Sequence, residues 1–206
     1  YFNLGFEPRI LKRSQKRETH YQVVFVGGLS VSHRERIRFL EAIAARHPLA
    51  LWGYGLDVLG LRSPLRAVHR GEAWALDMYN VLYNADITLN YHIGAAGNYA
   101  NNMRLYEATG VGTLLITDYK DNLRTLFEPG KEIIGYRSAE ECIELITYYL
   151  AHEEERKAIA SAGQRRTLSE HTYYFRMQEF IEIVAPLLQR QGKRRPVRDA
   201  GSRTAK

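Results

Sequence analysis

The sequence has 206 residues, of which 45% are apolar, and it contains a single cysteine. This length and composition are typical of one globular domain with a sizeable core. One cysteine excludes an internal disulfide and favours a reducing compartment, so we expect a cytoplasmic protein. The longest apolar runs are far too short to span a bilayer, which excludes a transmembrane segment.

The formal net charge of +6 is carried by the end of the chain. Residues 189–206 contain seven lysines and arginines against one aspartate, so the rest of the chain is neutral overall. This composition predicts a basic, disordered and solvated tail. A contact of the tail with phosphate, an anionic membrane or nucleic acid stays open, but the body is not predicted to carry a nucleic-acid-binding face.

Short β-branched runs alternate with stretches of helical periodicity from residue 21 onward, which is typical of an α/β fold with a parallel sheet. The predicted strands are residues 22–26, 49–54, 67–70, 86–90, 111–117 and 132–136. The predicted helices between them are residues 32–46, 73–84 and 101–109. A Ser138–Glu141 capping box then begins a purely helical region, with further helices at 153–168 and 172–189. The predicted buried face of the last helix comprises Phe180, Ile181, Val184, Leu187 and Leu188.

We therefore predict a single Rossmann-like domain over residues 21–188, with a parallel sheet of about six strands followed by C-terminal helices. Residues 1–20 lack this pattern and are predicted to be an incoming interdomain linker. Residues 189–206 form the predicted tail.

Ligands of open parallel sheets bind beyond the carboxyl ends of the strands, near the switch in strand order. After the first strand, Gly27 and Gly28 allow a close backbone approach, and Arg34 lies near the start of a helix. A helix N-terminus beside a guanidinium group favours an anion. The glycine pair alone is a weak signal, because it has neither the P-loop spacing nor the dinucleotide spacing.

Two other strand ends carry side chains suited to ligand contact. Tyr54 ends the second strand, where its ring could stack on a nucleobase. His92 follows the strand at 86–90 and is either a satisfied loop histidine or a ligand contact. Trp52 and Trp74 are predicted to be core residues. The spacing of the histidines predicts no metal site.

The densest polar constellation lies at residues 98–110. Met103 and Tyr106 are predicted to pack inward, whereas Arg104 and Glu107, three residues apart, share the opposite helix face. This pair is either a surface ion pair of little energetic value or part of a ligand site with an exposed Glu107 carboxylate.

In the ligand-site interpretation, Glu107 accepts hydrogen bonds from a vicinal diol such as a ribose. Asn101, Asn102 and Arg104 would then meet a diphosphate at the start of the helix.

Several motifs in order resemble the carboxy-terminal domain of GT-B glycosyltransferases, and more narrowly the CgeB-like, "glycosyl transferases group 1" type. They are residues 98–118, 122–123 (NL), 126–132 (LFEPGKE), 136–138 (YRS), 163–166 (GQRR) and 170–173 (EHTY). The resemblance covers roughly residues 2–187. It implies half of a GT-B fold that binds a nucleoside-diphosphate sugar, without a metal or a cofactor.

The resemblance also implies roles for individual residues. The second glutamate of a Glu-x7-Glu motif binds the donor ribose in the wider family, and Glu107 matches it. Tyr99 replaces the first glutamate, so the sugar hydroxyls would be held by Asn98, Asn101 or Asn102 instead.

For the phosphates, the resemblance implies the Gly27–Gly28 turn, Arg34 and the amides that begin the helix near Asn101.

The catalytic residues stay unknown, because the resemblance implies an acceptor-binding N-terminal domain that commonly supplies the catalytic base. Residues 2–8 resemble the end of an interdomain linker, and residues 172–188 resemble a terminal helix that packs back toward that domain. We therefore expect a fragment, or one half of a complex, that binds donor but transfers sugar poorly or not at all alone. The alternative is a non-catalytic Rossmann-like module that binds a nucleotide or a protein partner.

Overall fold

A five-stranded, fully parallel sheet organises the protein, for which the computed structural model describes residues 2–94 and 97–192. Its strands are β1 (Tyr21–Val26), β2 (Leu49–Trp52), β3 (Ala85–Asn90), β4 (Leu114–Asp118) and β5 (Ile134–Tyr136). Their spatial order is β2-β1-β3-β4-β5. The predicted α/β class and Rossmann-like architecture are confirmed.

The helices follow the predicted order closely. They are α1 (Arg34–Ala44), α2 (Leu65–Val68), α3 (Ala75–Tyr83), α4 (Met103–Val111), α5 (Leu123–Leu126), α6 (Ala139–Ala151), α7 (Glu153–Glu170) and α8 (Tyr173–Gly192). Short 3-10 helices occupy Pro8–Lys12, Val31–His33 and Leu56–Val58. The predicted capping box begins α6, because the Glu141 amide donates to Ser138 Oγ and the Arg137 amide donates to the Glu141 carboxylate.

The predicted strand at residues 67–70 is wrong, since this segment contains the end of α2 and only a single bridge between His69 and Leu51. The guanidinium group of Arg66 donates to the carbonyls of Leu56, Leu59 and Gly60. These bonds hold the loop at residues 56–60 against α2, and only residues 69–71 run beside β2, where the Arg70 amide donates to the Leu51 carbonyl and the Gly53 amide donates to the Gly71 carbonyl.

The core consists of two layers, one on each face of the sheet, because successive strand residues point to opposite faces. On one face Val23 and Phe25 of β1 pack with α1 and α6. On the other face Val24 and Val26 pack with α3 and α4. Helix α4 lies deep in this second layer, between α3, α7 and the sheet.

The beginning of the chain packs against the domain. Phe6 is fully buried, and its amide and carbonyl bond to the His171 carbonyl and the Tyr173 amide at 2.8 and 3.0 Å. A Cβ on Gly110 of α4 would lie 2.5 Å from the Phe6 ring, so a glycine is needed there. The interdomain connection through residues 1–20 stays a prediction, but residues 4–6 are an ordered part of this domain.

Helix α8 differs from its prediction. Phe180, Ile181, Leu187 and Leu188 were expected to be buried, yet about half or more of each side chain is exposed. Arg176 in the first turn is buried, and farther along the helix Phe180 contacts Phe2 edge to face, with ring centroids 6.0 Å apart, whereas Ile181, Leu187 and Leu188 are exposed.

Within the described part of the chain, no helix combines the length and the apolar character needed to cross a membrane. Most of the predicted tail, residues 193–206, lies outside the described residues.

Candidate functional site

The strand order reverses at β1 and β3, whose carboxyl ends lie side by side, with Phe25 opposite Leu89. This is the switch point at which doubly wound sheets bind ligands. The Arg36 side chain of α1 crosses it, donating through Nη1 to the Gly28 carbonyl and through Nη2 to the Tyr91 carbonyl, both at 3.1 Å. It therefore ties together the loops that follow the two strands.

Arg36 is 9% exposed, and its Nε atom is buried without a hydrogen-bond partner. Burial lowers the pKa of its guanidinium. Among the described residues it forms no ion pair within 4.0 Å: its Nη atoms donate to carbonyls, and the Asp118 carboxylate attracts it only from a longer distance. A buried cation without a direct ion-pair partner is costly, and an anion that binds to it lowers that cost.

Two cavities meet at Arg36. The first, which we call the glycine cavity, has a volume of about 480 Å³ and is lined by Gly27, Trp74, Arg104 and Glu107, among others. The second, the asparagine cavity, has a volume of about 830 Å³. Its polar lining includes Asn3, His92, Tyr99, Asn101, Asp121 and Asn122. Arg36 and Asn102 line both cavities, so the two are adjacent, and we refer to them together as the crevice.

Glu107 and Arg104 form a buried ion pair at the floor of the glycine cavity. Arg104 Nη1 lies 2.8 Å from Glu107 Oε2, and Nη2 donates to the Val26 carbonyl at 3.0 Å. The Tyr79 hydroxyl lies 3.5 Å from Glu107 Oε1, at the long limit of a hydrogen bond. Burial, reinforced by the Glu107 charge, raises the pKa of Tyr79, and burial lowers the pKa of Arg104.

The prediction of an exposed Glu107 carboxylate, and with it the surface-ion-pair interpretation, is wrong: Glu107 is only 4% exposed. Its helix is covered by α3 and α7, which the local sequence pattern does not reveal. The side chain nevertheless lines the glycine cavity, where Oε1 has only the long Tyr79 contact.

The N-terminus of α4 lies at the junction of the cavities. Asn102 is the N-cap residue, but its side chain exchanges hydrogen bonds with Asn90 at 2.8 and 3.3 Å and makes no capping bond. The first turn of the helix thus keeps its positive partial charge near Arg36. Tyr106 is buried as predicted, whereas Met103, expected to pack inward, is half exposed.

His92, which lines the asparagine cavity, is paired with Asp118 behind it. His92 Nδ1 lies 2.7 Å from Asp118 Oδ1, and the His92 amide donates to the same oxygen at 3.0 Å. Since a carboxylate oxygen accepts, Nδ1 carries a proton, and Nε2 is buried without a partner. Burial raises the pKa of Asp118, but the bond to His92 and its charge outweigh burial and lower it.

The remaining predicted site residues lie at different distances from this crevice. Asn101 holds the start of the chain, because it bonds to the Leu4 amide and the Phe2 carbonyl. Arg34 is exposed and lines a separate recess of about 340 Å³, which Arg36 also borders. Gly28 faces the ring of Tyr54, with which a Cβ would overlap.

Sequence reasoning missed Arg36 and Trp74. Arg36 lies four and seven residues before Leu40 and Ile43, on the same helix face, so an arginine on an apolar stripe was the available signal. Trp74 was predicted to be core, which is wrong, since it is 62% exposed. It stacks on Tyr54 instead, at the rim of the glycine cavity.

The sheet order and the crevice at its switch point define a Rossmann-like domain of the kind that forms one half of a GT-B fold. The sequence profile of the family described as "Glycosyl transferase-like" matches residues 34–182, which is more than half of the chain. The chain belongs to this glycosyl transferase-like family. A search for similar curated proteins found no match.

Solved structures of glycosyltransferases share the fold. Anabaena Alr3699/HepE, solved in complex with UDP-glucose, superposes with a TM-score of 0.70 at 14% identity, over 88% of this chain and 56% of that one. Sucrose-phosphate synthase from Thermosynechococcus elongatus superposes with a TM-score of 0.67 at 13% identity, over 90% and 52%. The chain thus spans about half the length of these two proteins.

A third similar structure is itself a separate domain. The C-terminal domain of the glycosyl transferase group 1 protein LpcC from Francisella tularensis superposes with a TM-score of 0.54 at 10% identity. The match covers 83% of this chain and 96% of that one.

Proposed function

We propose that this chain binds a nucleoside-diphosphate sugar and is the donor-binding part of a glycosyltransferase of CgeB-like type, acting in the cytoplasm. One observation carries the proposal: Arg36 and the N-terminus of α4 lie where two cavities join. A ligand with a nucleoside at one end and a sugar at the other has its anionic diphosphate in the middle. That order matches the order of the crevice.

The nucleoside would lie in the glycine cavity. Glu107 Oε1, which the protein engages only through the long Tyr79 contact, would accept hydrogen bonds from the ribose diol. Tyr79 and Arg104 fix the position of this carboxylate. Glu107 would thus bind the ribose, as expected from the sequence, but with a carboxylate that is buried and held in position instead of exposed.

The diphosphate would lie against Arg36, Asn102 and the first turn of α4. Arg36 has no ion-pair partner within 4.0 Å among the described residues, so a bound diphosphate would supply a direct one. The same groups would stabilise the departing diphosphate as the glycosidic bond breaks. Arg34, exposed and outside both main cavities, is a weaker candidate for this role than the sequence suggests, and Gly27 remains on the cavity wall.

The sugar would occupy the asparagine cavity. Amide side chains both donate and accept hydrogen bonds, as sugar hydroxyls do, and Asn3, Asn101 and Asn122 line this cavity. Asn101 already bonds to the start of the chain and Asn122 to the Ala100 backbone, so these two would offer the sugar their second donor and acceptor positions. His92 lines the same cavity, and its buried Nε2 has no hydrogen-bond partner among the described residues. Tyr99, at the position of the family's first glutamate, lines it as well.

We further propose that an N-terminal domain supplies the acceptor site and the catalytic base, and that this chain alone transfers sugar poorly or not at all. Two observations support a second domain: the chain spans about half of the similar glycosyltransferases, and α8 exposes a row of apolar side chains. Turnover by the isolated chain at the rate of a two-domain relative would contradict this proposal.

The test of donor binding is calorimetric titration with UDP, GDP and UDP-glucose. We expect one of these ligands to bind, and Arg36→Gln to weaken it, whereas Arg38→Gln on the exposed side of the same helix leaves the affinity unchanged. If neither nucleotides nor the nucleotide sugar bind to the wild-type chain, the proposed function is wrong. Binding of a nucleotide without any sugar transfer, even with an N-terminal domain present, would favour a non-catalytic nucleotide-binding module.

A further inference from the structure

We infer that Trp74 is the residue on which the nucleobase of the donor stacks, an inference that rests on the proposed function. Trp74 lines the glycine cavity, together with Arg104 and Glu107 at its floor. A ribose held at Glu107 would have its base within this cavity. An indole ring on the cavity wall then offers a flat apolar surface for the base.

The packing of the fold does not account for the exposure of Trp74. Trp74 is 62% exposed, although large aromatic side chains usually bury most of their surface. The ring does not swing freely, because Nε1 donates to the Glu72 carboxylate at 2.9 Å and the ring stacks on Tyr54. The protein therefore holds an aromatic face in a fixed orientation toward solvent.

Tyr54 supports Trp74 from behind. The two rings are nearly parallel, at 9°, with their centroids 6.0 Å apart. Stacking a third ring between them would require about 7 Å, twice the optimal contact distance between carbon atoms. The base would therefore stack on the face of Trp74 that points away from Tyr54. Gly28 contributes indirectly, because its lack of a side chain leaves room for the Tyr54 ring.

The backbone after Trp74 is strained in a way that fits this role. Ala75 has φ +48°, and it is the one non-glycine residue with positive φ in the described part of the chain. Such a conformation is unfavourable for a residue with a Cβ and persists where the surroundings require it. Ala75 also lines the glycine cavity, so the strain lies at the point where the chain turns Trp74 outward before α3 begins.

The experiment compares Trp74→Ala and Trp74→Phe with the wild-type chain, using the nucleoside diphosphate that binds best and inorganic pyrophosphate as probes. We expect Trp74→Ala to weaken nucleotide binding about tenfold and Trp74→Phe to retain most of the affinity, since base stacking accepts any aromatic ring. Pyrophosphate binding should be equal in all three, because it has no base.

Intrinsic fluorescence gives a second readout, since Trp52 and Trp74 are the two tryptophans of the chain. The nucleotide should quench the emission of the wild-type chain but not that of Trp74→Phe, in which Trp52 alone emits. Unchanged nucleotide affinity in Trp74→Ala would overturn this inference and leave the proposed function intact. Failure of the wild-type chain to bind any nucleotide would overturn both.

Discussion

The crevice contains two buried arginines, of which one has an ion-pair partner among the described residues and the other bonds to backbone carbonyls. Arg104, at the floor of the glycine cavity, has the Glu107 carboxylate at 2.8 Å. Arg36, at the junction of the cavities, bonds only to two backbone carbonyls. Burial lowers the pKa of both guanidinium groups, so neither is a solvated surface charge.

This difference separates a structural charge from a charge available to a ligand. The Arg104 charge is compensated within the protein, so the pair orients Glu107 and supports the packing of α4. The Arg36 charge has no ion-pair partner within 4.0 Å among the described residues and is attracted by the Asp118 carboxylate only from a longer distance, so an anion bound at the junction would be its direct partner. We therefore expect a substitution in the Arg104–Glu107 pair to lower mainly the stability of the fold, and a substitution of Arg36 to weaken mainly ligand binding.

The largest effect is expected from breaking the compensated pair. Glu107→Ala leaves Arg104 buried without a counter-ion, and we expect the free energy of unfolding to fall by about 3–5 kcal/mol. Denaturant titration followed by circular dichroism measures this loss. An exposed Glu107 would predict almost no change.

A matched double variant checks the cause. Arg104→Met combined with Glu107→Leu removes both charges and keeps most of the volume, so it should recover much of the stability lost in Glu107→Ala. A double variant as unstable as the single one would show that packing, and not the unpaired charge, accounts for the loss.

The second largest effect is expected at Arg36. Arg36→Gln removes the charge that has no direct ion-pair partner, and we expect nucleoside-diphosphate affinity to fall about 10- to 100-fold, since hydrogen bonds to charged groups contribute about 1.5–3 kcal/mol. Calorimetry measures the affinity, and denaturant titration should show a stability loss smaller than that of Glu107→Ala. A stability loss equal to that of Glu107→Ala, with binding intact, would remove the distinction between the two arginines.

A smaller effect is expected at the sugar end of the crevice. His92→Asn keeps a group that can contact Asp118 but removes Nε2, so it should weaken UDP-glucose about 3- to 10-fold while UDP binds as before. His92→Gln, which places an amide near the Nε2 position, is the matched control and should lose less. Equal weakening of UDP and UDP-glucose by His92→Asn would show that His92 contacts the nucleotide part instead.

Local sequence pattern determined most of the fold. Alternating β-branched runs located all five strands, and glycine and proline positions located the turns between them. The errors arise where distant parts of the chain meet. The segment at 67–70 begins inside α2 and reaches β2 only through the bridge at His69, and most of the apolar face of α8 is exposed although its periodicity predicts burial.

The candidate site was predicted in outline but not in its electrostatics. The loops after β1 and β3 and the start of α4 do converge, because parallel strands end at one edge of the sheet. The burial of Glu107 depends on α3 and α7 covering α4, and the exposure of Trp74 depends on a backbone turn at Ala75. A short stretch of sequence predicts neither the burial of Glu107 nor the exposure of Trp74.

The smallest effect is expected at Arg34, which sequence reasoning chose for the phosphates. Arg34 and Arg36 are two positions apart in the same helix, so their side chains project in directions about 200° apart. Only Arg36 lies on the face that reaches the switch point, whereas Arg34 is exposed. Arg34→Gln should therefore change nucleoside-diphosphate affinity by less than about twofold at moderate salt, where solvated charges are screened. Calorimetry of Arg34→Gln beside Arg36→Gln decides between them, and a larger loss for Arg34→Gln would return the phosphate contact to the exposed end of α1.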